Sequence, residues 1–427
     1  MNVFNILNFS KNKILNICYY LILFFPVALI VGPFIGEFFL ILLVLLVFTI
    51  KDFRKNFFEI IQASKVIKLF FIFSIYILIL SIFSFENFDI FKTGFFYLRY
   101  ILFSLAVFYL ISKNPNVLKN FFIFYFILIL VILFDSFLQY YSGQNILGYP
   151  KFGSRIVSFF EGEGILGSFF VRFYALVSVF YFLSKFLFNR LIILSIVSLI
   201  FVLIIFTLER SALFLFLVLN LLILFSISQN KKKFFKNLSL MILFFTIFSY
   251  IIGSKNDFFI ERYYKQTKNE ISKLFDTKID SKRKNILIVA YNMGSKNYLF
   301  GLGPKSFRYK CKEKEYQVEE TKEFDERKRL EFNCITHPHN YIFQLFAETG
   351  LIGLIFYIIF LFFLLKKIFL TPNNNLNQLC LKLISISLLI NIFPLVGNGN
   401  IFNNFLSMIF FYNLSFFLYF NQINTKK

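Results

Sequence analysis

Charged residues are scarce in this chain, and several residue types that mark common enzyme chemistry are nearly missing. Of 427 residues only 16% are charged, where a soluble domain would carry roughly 25%. There is no Trp, and there are two His and four Cys. No Cys-x-x-Cys pair and no His/Cys cluster occurs, so the spacing that signals a metal site is lacking, and no cofactor is expected. No stretch alternates apolar and polar residues in the manner of an outer-membrane barrel. No internal repeat and no pair of matching broken helices suggests a transporter built from inverted repeats. The first apolar run lacks a small-residue cleavage site and is followed at once by another, which argues against a removed signal peptide. What is present is hydrophobic: 58% of residues, with 70 Phe among them. Apolar runs of about 17 residues or more recur with little internal charge, the signal of membrane-spanning helices. A soluble enzyme with a peripheral anchor is excluded, and the abundance of Phe is read as compositional bias.

The expected fold is therefore an all-α polytopic membrane protein of about twelve transmembrane helices. The spans are placed at 14–31, 34–50, 66–84, 94–111, 121–138, 164–184, 191–208, 211–228, 237–252, 343–365, 377–396 and 401–420. Spans one to nine make a unit over 1–252, a large outer loop occupies 253–339, and 340–427 carries the last three spans. Orientation follows the cations. With the N-terminus inside, the inner segments hold nineteen: Lys11, Lys13, Lys51, Arg54, Lys55, Lys65, Lys68, Lys113, Lys119, Lys185, Arg190, Lys231, Lys232, Lys233, Lys236, Lys366, Lys367, Lys426 and Lys427. The short outer loops hold four, Lys92, Lys151, Arg155 and Arg210. Both termini are expected in the cytoplasm. The net charge of +22 then needs no nucleic acid, because inner cations orient helices and meet anionic head groups.

The outer loop of 253–339 is too long to be structureless. Lys282–Met293 reads as a helix with Ile286, Val289, Ala290 and Met293 on one apolar face. Cys311 and Cys334 both lie in this loop. An oxidising compartment would let them bond, with a gain of roughly 3 kcal/mol; two unpaired thiols is the competing reading.

Both histidines, His337 and His339, sit where this loop returns to the membrane. Pro338 restricts His337 to extended geometry, and Asn340 is a good N-cap for the tenth span. A capped helix start is the plain structural reading. The exposed N–H groups of that helix start also favour an anion, and histidine is suited to proton transfer near neutral pH. Spans seven and eight are joined by little more than Glu209-Arg210-Ser211. Arg210 there either anchors at the interface, with Glu209 neutralising it, or points into a protein cavity. Arg155, Glu161 and Glu163 precede span six, Arg172 lies in it, Arg99 lies in span four, and Asp135 lies near the outer end of span five. For Arg99 and Arg172 structural pairing with Asp135 or Glu163 competes with a catalytic role. Arginine's planar fork suits phosphate oxygens. Several arginines and one histidine at the outer membrane surface suit glycosyl transfer from a lipid diphosphate.

The residues His339-Asn340-x9-Gly350-x-x-Gly353 resemble the His-Asn/Ser/Gln-x9-Gly-x-x-Gly motif of the bacterial O-antigen ligase/O-antigen polymerase superfamily. Gly301-Leu302-Gly303 resembles that family's Gly-x-Gly segment, and Glu209-Arg210-Ser211-Ala212 its short-hairpin arginine. Asp135, Gln139, Gly143, Arg155, Glu163, Gly167 and Ser168 are similar to the first outer-loop region of polymerase-like members. The ligase-related region is placed at about 191–365. The resemblance implies a membrane-embedded, metal-independent inverting glycosyltransferase of the bacterial inner membrane, with the large loop in the periplasm. Glycan would pass from undecaprenyl diphosphate to the lipid A core in lipopolysaccharide synthesis, or to the next lipid-linked repeat in a polymerase. It implies His339 as general base, Arg210 and Arg283 as diphosphate-binding catalytic residues with Arg262 as the alternative to Arg283, and Arg155, Glu163 and Asn340 as substrate-binding. His337 is secondary, its ring held away from that of His339 by Pro338. Gly350 and Gly353 are assigned to close helix packing beneath His339. Two other classes compete, a flippase or exporter of lipid-linked glycan and a non-catalytic polysaccharide-assembly scaffold. An exporter needs cations along a passage through the membrane, and a scaffold tolerates loss of His339.

Overall fold

A computed structural model describes residues 13–62, 64–84, 87–184, 188–228, 230–253, 257–275, 282–318, 333–397 and 399–425. Lys11, Lys185, Lys426 and Lys427 lie outside the described residues. The described chain is helical throughout apart from its loops, and the sole β features among these residues are two isolated bridges near 144–155. Fifteen helices organise the fold. They are α1 Lys13–Val31, α2 Pro33–Thr49, α3 Lys65–Phe83, α4 Phe88–Phe95, α5 Leu98–Lys113, α6 Val117–Ser142, α7 Leu166–Ser184, α8 Arg190–Phe206, α9 Arg210–Ile227, α10 Lys231–Gly253, α11 Gln266–Phe275, α12 Lys282–Lys296, α13 Tyr341–Leu370, α14 Leu376–Asn391 and α15 Asn404–Thr425. Short helical turns at 51–62, 257–265, 307–310 and 314–316 connect them.

Among the described residues nine helical stretches are long and apolar enough to cross a membrane, so the protein is a multi-pass membrane protein. The other three expected spans fall on shorter apolar helices, Pro33–Thr49, Leu191–Phe206 and Leu376–Asn391. The expected span 94–111 is also interrupted, because the chain turns at Phe96 and Tyr97 between α4 and α5. The short α14 is deeply enclosed: every residue from Cys380 to Asn391 is buried. Hydrophobic stretches of α14 alternate with Ser385 and Ser387, and small polar side chains of this kind let helices approach closely in a bilayer. α7, α9, α13 and α15 surround it. α5 is buried from Phe103 to Ile111 and packs on α15.

Intramembrane charges pair differently from expectation. Arg99 is held by Glu37 of α2, with Nη2–Oε1 at 2.7 Å and Nε–Oε2 at 2.8 Å, and not by Asp135 or Glu163. Arg172 donates to the Ser168 carbonyl one turn earlier at 3.0 Å. Asp135 and Gln139 instead brace the loop between α6 and α7. Asp135 Oδ1 accepts from Ile146 N at 2.9 Å, and Gln139 Oε1 accepts from Val157 N and Ser158 N at 2.9 and 2.8 Å. A carboxylate and an amide at the end of α6 can satisfy several loop N–H groups that would otherwise be buried without partners.

The described part of the large loop folds onto the start of α13. α12 carries the four expected apolar residues, and Ile286, Val289, Ala290 and Met293 are all buried. They form a small separate core with Phe307, Cys311, Tyr316 and Ala347. Cys311 and Cys334 are bonded at its edge, their Cα atoms 5.4 Å apart.

Candidate functional site

Gly350 is where the large loop meets the membrane helix. It does not continue α13: its φ of 62° and ψ of −165° break the helix. An L-residue disfavours that conformation, and a helix interior disfavours glycine for propensity alone. The broken turn exposes backbone groups, and the loop uses them. Leu302 N donates to Ala347 O at 3.1 Å, Gly303 N to Glu348 O at 2.8 Å and Leu351 N to Tyr298 O at 2.6 Å. Contact is so close that a Cβ on Gly301 would lie 2.5 Å from Glu348 C, and one on Gly350 would lie 2.4 Å from Leu299 C. The two glycine motifs are therefore halves of one backbone-to-backbone joint. This corrects the reading of Gly350 as helix-to-helix packing. The buried Glu348 carboxylate adds an anchor, accepting from Phe307 N at 3.3 Å and from Gln344 Nε2 at 2.9 Å.

The joint fixes the start of α13. Asn340 caps it, its Oδ1 accepting from Ile342 N at 2.9 Å and Phe343 N at 3.3 Å, while its Nδ2 donates to Pro394 O at 3.3 Å. The polar atoms of this side chain are thus engaged within the protein. His339 precedes it with φ of 56°, a left-handed conformation uncommon outside glycine and worth attention near a site. Its side chain faces solvent. The reversal at His339 brings the two histidine rings together, centroids 4.1 Å apart. Pro338 does not hold them apart as expected, because the turn after it folds the chain back. His337 Nδ1 and Thr336 Oγ1 are 2.9 Å apart.

Beside this corner lies a cavity of about 470 Å³, partly open to solvent, lined by Arg155, Arg210, Arg262 and Arg283 together with Glu209 and Glu270. The sequence spreads these arginines over three segments, and the fold gathers them. Arg210 is the first residue of α9. Its Nη2 donates to Glu270 Oε1 at 2.6 Å, and Arg283 Nη1 donates to Glu270 Oε2 at 3.2 Å. Arg262 sits in the π-helical turn Ile260–Lys265 and donates to Gln266 Oε1 at 2.8 Å and Leu208 O at 3.3 Å. Burial, and then the positive charges of Arg210 and Arg155, push its guanidinium below the usual range. Arg262 and Arg283, the two alternatives for one role, line the same cavity.

Glu209 does not neutralise Arg210. Its Oε1 accepts from Gly167 N at 2.7 Å and its Oε2 from Ser168 N at 3.0 Å. It caps the start of α7 and welds it to the α8–α9 hairpin, where the helix N-terminus favours an anion. Burial nevertheless pushes its carboxyl up to about 7, against the opposing pull of those two N–H groups. Glu163 is exposed and does not line the cavity.

The last element of the site is Gly397, in the loop between α14 and α15. A methyl group there would lie 2.5 Å from Arg283 Nη2 and 3.6 Å from the His339 carbonyl oxygen. Gly397 thus lets the histidine corner and the arginine cavity meet. Sequence reasoning passed over Gly397 and Glu270. The Val-Gly-Asn-Gly-Asn run at 396–400 is a readable turn signal, whereas Glu270 is one acid among many in a charged loop. A group of oxyanion-binding arginines next to an exposed histidine can hold a doubly charged leaving group and take a proton beside it.

Residues 193–358 match a family model described as O-Antigen ligase. The matched stretch contains Arg210, Arg262, Glu270, Arg283, both glycine motifs and His339, while Arg155 and Gly397 lie outside it. No curated protein matches the chain.

Proposed function

We propose that this chain, whose residues 193–358 match the O-antigen ligase family model, moves glycan from undecaprenyl diphosphate to an acceptor hydroxyl at the periplasmic face of the bacterial inner membrane. The acceptor is the lipid A core in a ligase, or the next lipid-linked repeat in a polymerase. The family supplies the general activity, transfer of a lipid-linked glycan. The donor, the direction and the residue roles are our reading.

The observation that carries it is the convergence of Arg210 and Arg283, from the α8–α9 hairpin and from α12, on the two oxygens of one carboxylate. Guanidinium groups so placed match adjacent oxygens of a phosphoryl group. In the reaction, the acceptor oxygen attacks the anomeric carbon on the face opposite the diphosphate, and the new C–O bond forms as the bond to the diphosphate breaks. The leaving diphosphate keeps the electron pair, and Arg210 and Arg283, with Arg155 and Arg262 around them, stabilise its charge. His339 takes the proton of the acceptor hydroxyl. Attack from the opposite face inverts the anomeric configuration, and the balance of charge requires no metal. Asn340 and the Gly350 joint hold the histidine corner in place.

The test is deletion of the gene and complementation with wild type, His339→Ala, Arg210→Ala and Arg283→Ala, with surface glycans resolved on gels and membrane abundance of each variant measured. The expected result is loss of product at normal abundance for all three variants. A ladder collapsed to one repeat identifies a polymerase, and full-length chains left on the lipid carrier identify a ligase. Wild-type glycan from His339→Ala refutes the catalytic reading.

A further inference from the structure

Glu270 is absent from every sequence motif, yet it is the shared partner of the two arginines. Its oxygens lie 2.6 Å from Arg210 Nη2 and 3.2 Å from Arg283 Nη1. Thr267, one turn earlier on α11, adds its hydroxyl 3.4 Å from Arg210 Nη1. Two oxygens on one atom, each facing a different guanidinium, reproduce what adjacent oxygens of a phosphoryl group present to an arginine pair. The other carboxylate on the cavity wall, Glu209, already has both oxygens on backbone N–H groups. Glu270 is therefore the acid that stands where an incoming anion would bind.

The pairing is also built to be broken. Glu270 and Arg283 are 41% and 45% exposed, and ion pairs of that exposure are weak and replaceable. α11 follows directly on the π-helical turn Ile260–Lys265, a type of irregular turn that recurs at functional sites. The cavity wall carries four arginines against two glutamates, so an excess of positive charge remains for a stronger anion even while Glu270 is in place.

We propose that Glu270 is a resident stand-in for the substrate diphosphate. Its carboxylate keeps Arg210 and Arg283 paired and aimed in the protein without substrate, and a lipid diphosphate binds by displacing it. The inference rests on the diphosphate reading of the arginine pair. Its consequence is selectivity: a singly charged free carboxylate competes poorly with an attached carboxylate, whereas a diphosphate offers more charge and more oxygens.

The experiment measures binding of farnesyl diphosphate to the full-length protein in phosphatidylcholine nanodiscs, for wild type, Glu270→Gln, Glu270→Ala and Arg210→Ala. Removing the two competing pairs, one exposed and one half-buried, each a few-fold effect, tightens binding in both Glu270 variants by about tenfold, while Arg210→Ala weakens it. Weaker or unchanged binding in the Glu270 variants alongside weaker binding in Arg210→Ala overturns the stand-in and leaves the arginine site intact. Unchanged binding in Arg210→Ala overturns the arginine site itself, and the stand-in with it. Melting profiles establish folding. If neither Glu270 variant folds, the carboxylate is an obligatory structural part and the proposal is overturned.

Discussion

Alanine at position 350 meets two separate costs, and the structure allows them to be told apart. The first is backbone strain: Gly350 has φ of 62° and ψ of −165°, a region that only glycine occupies readily, and an L-residue there costs about 1–3 kcal/mol. The second is contact. The added Cβ would lie 2.4 Å from Leu299 C and O and 2.6 Å from Phe300 N. All three are backbone atoms, so no rotamer change relieves the clash and the 298–303 segment must retreat. That segment is stitched to α13 by Leu302 N to Ala347 O, Gly303 N to Glu348 O, Leu351 N to Tyr298 O and Ile352 N to Leu299 O. At about 1 kcal/mol each, their loss adds about 4 kcal/mol, so Gly350→Ala should cost about 5–7 kcal/mol locally. Gly162→Ala is the control. Gly162 has φ of 66° with nothing within 4 Å of an added Cβ, so it should register strain alone, about 1–2 kcal/mol. Heat denaturation of the purified protein in detergent, with hydrogen exchange read at residues 298–303, gives the comparison. Gly301→Ala attacks the same joint from the other side, so the double variant Gly301→Ala/Gly350→Ala should cost clearly less than the two singles added. Equal melting shifts for Gly350→Ala and Gly162→Ala, with protection of 298–303 intact, would refute the joint.

Three further outcomes follow from the site. Gly397→Ala places a methyl against the mobile end of the Arg283 side chain, so thermal stability should change by less than about 1 kcal/mol while glycan transfer in complemented cells falls severalfold; full activity would separate Gly397 from the site. Glu209 is a carboxyl raised by burial from 4.5 to about 7, so the folded state holds its proton where the unfolded chain has lost it. Its contribution is fully present below pH 4.5 and is lost as pH rises to about 7; melting scans should show that decline in wild type and a flatter profile in Glu209→Gln. Cys311→Ser should lower stability of the outer loop by about 3 kcal/mol, seen as faster exchange in 286–316 and matched by reduction of the wild-type protein.

How much was legible beforehand differs between elements for physical reasons. Membrane helices announce themselves through long apolar runs, because each must satisfy its backbone hydrogen bonds internally while facing lipid. The buried face of α12 was readable by the same token, from Ile286, Val289, Ala290 and Met293 at helical spacing. The break at Phe96 and Tyr97 was not, since both are aromatic residues common in spans, and α4 turns aside to pack on α3 while α5 packs on α15. The partners of buried charges were also out of reach: Arg99 found Glu37 and Asp135 found loop N–H groups, choices made by which helices become neighbours. Residue type and position pointed to His339 and Arg210, since few side chains suit that chemistry, whereas Arg283, with Arg262 as its alternative, entered only through the family resemblance.

By itself, then, the sequence determined that this is a multi-pass helical membrane protein and which cations and histidines were available for chemistry. Helix formation and span length depend on composition within a single segment, which one sequence contains in full. Tertiary structure decided that four arginines from distant segments share one wall, that Glu270 rather than Glu209 faces Arg210, and that Gly397 joins that wall to the histidine corner. It also decided that Gly301 and Gly350 form one joint. Those relations depend on distances between chain segments, and they come into being only when the helices pack.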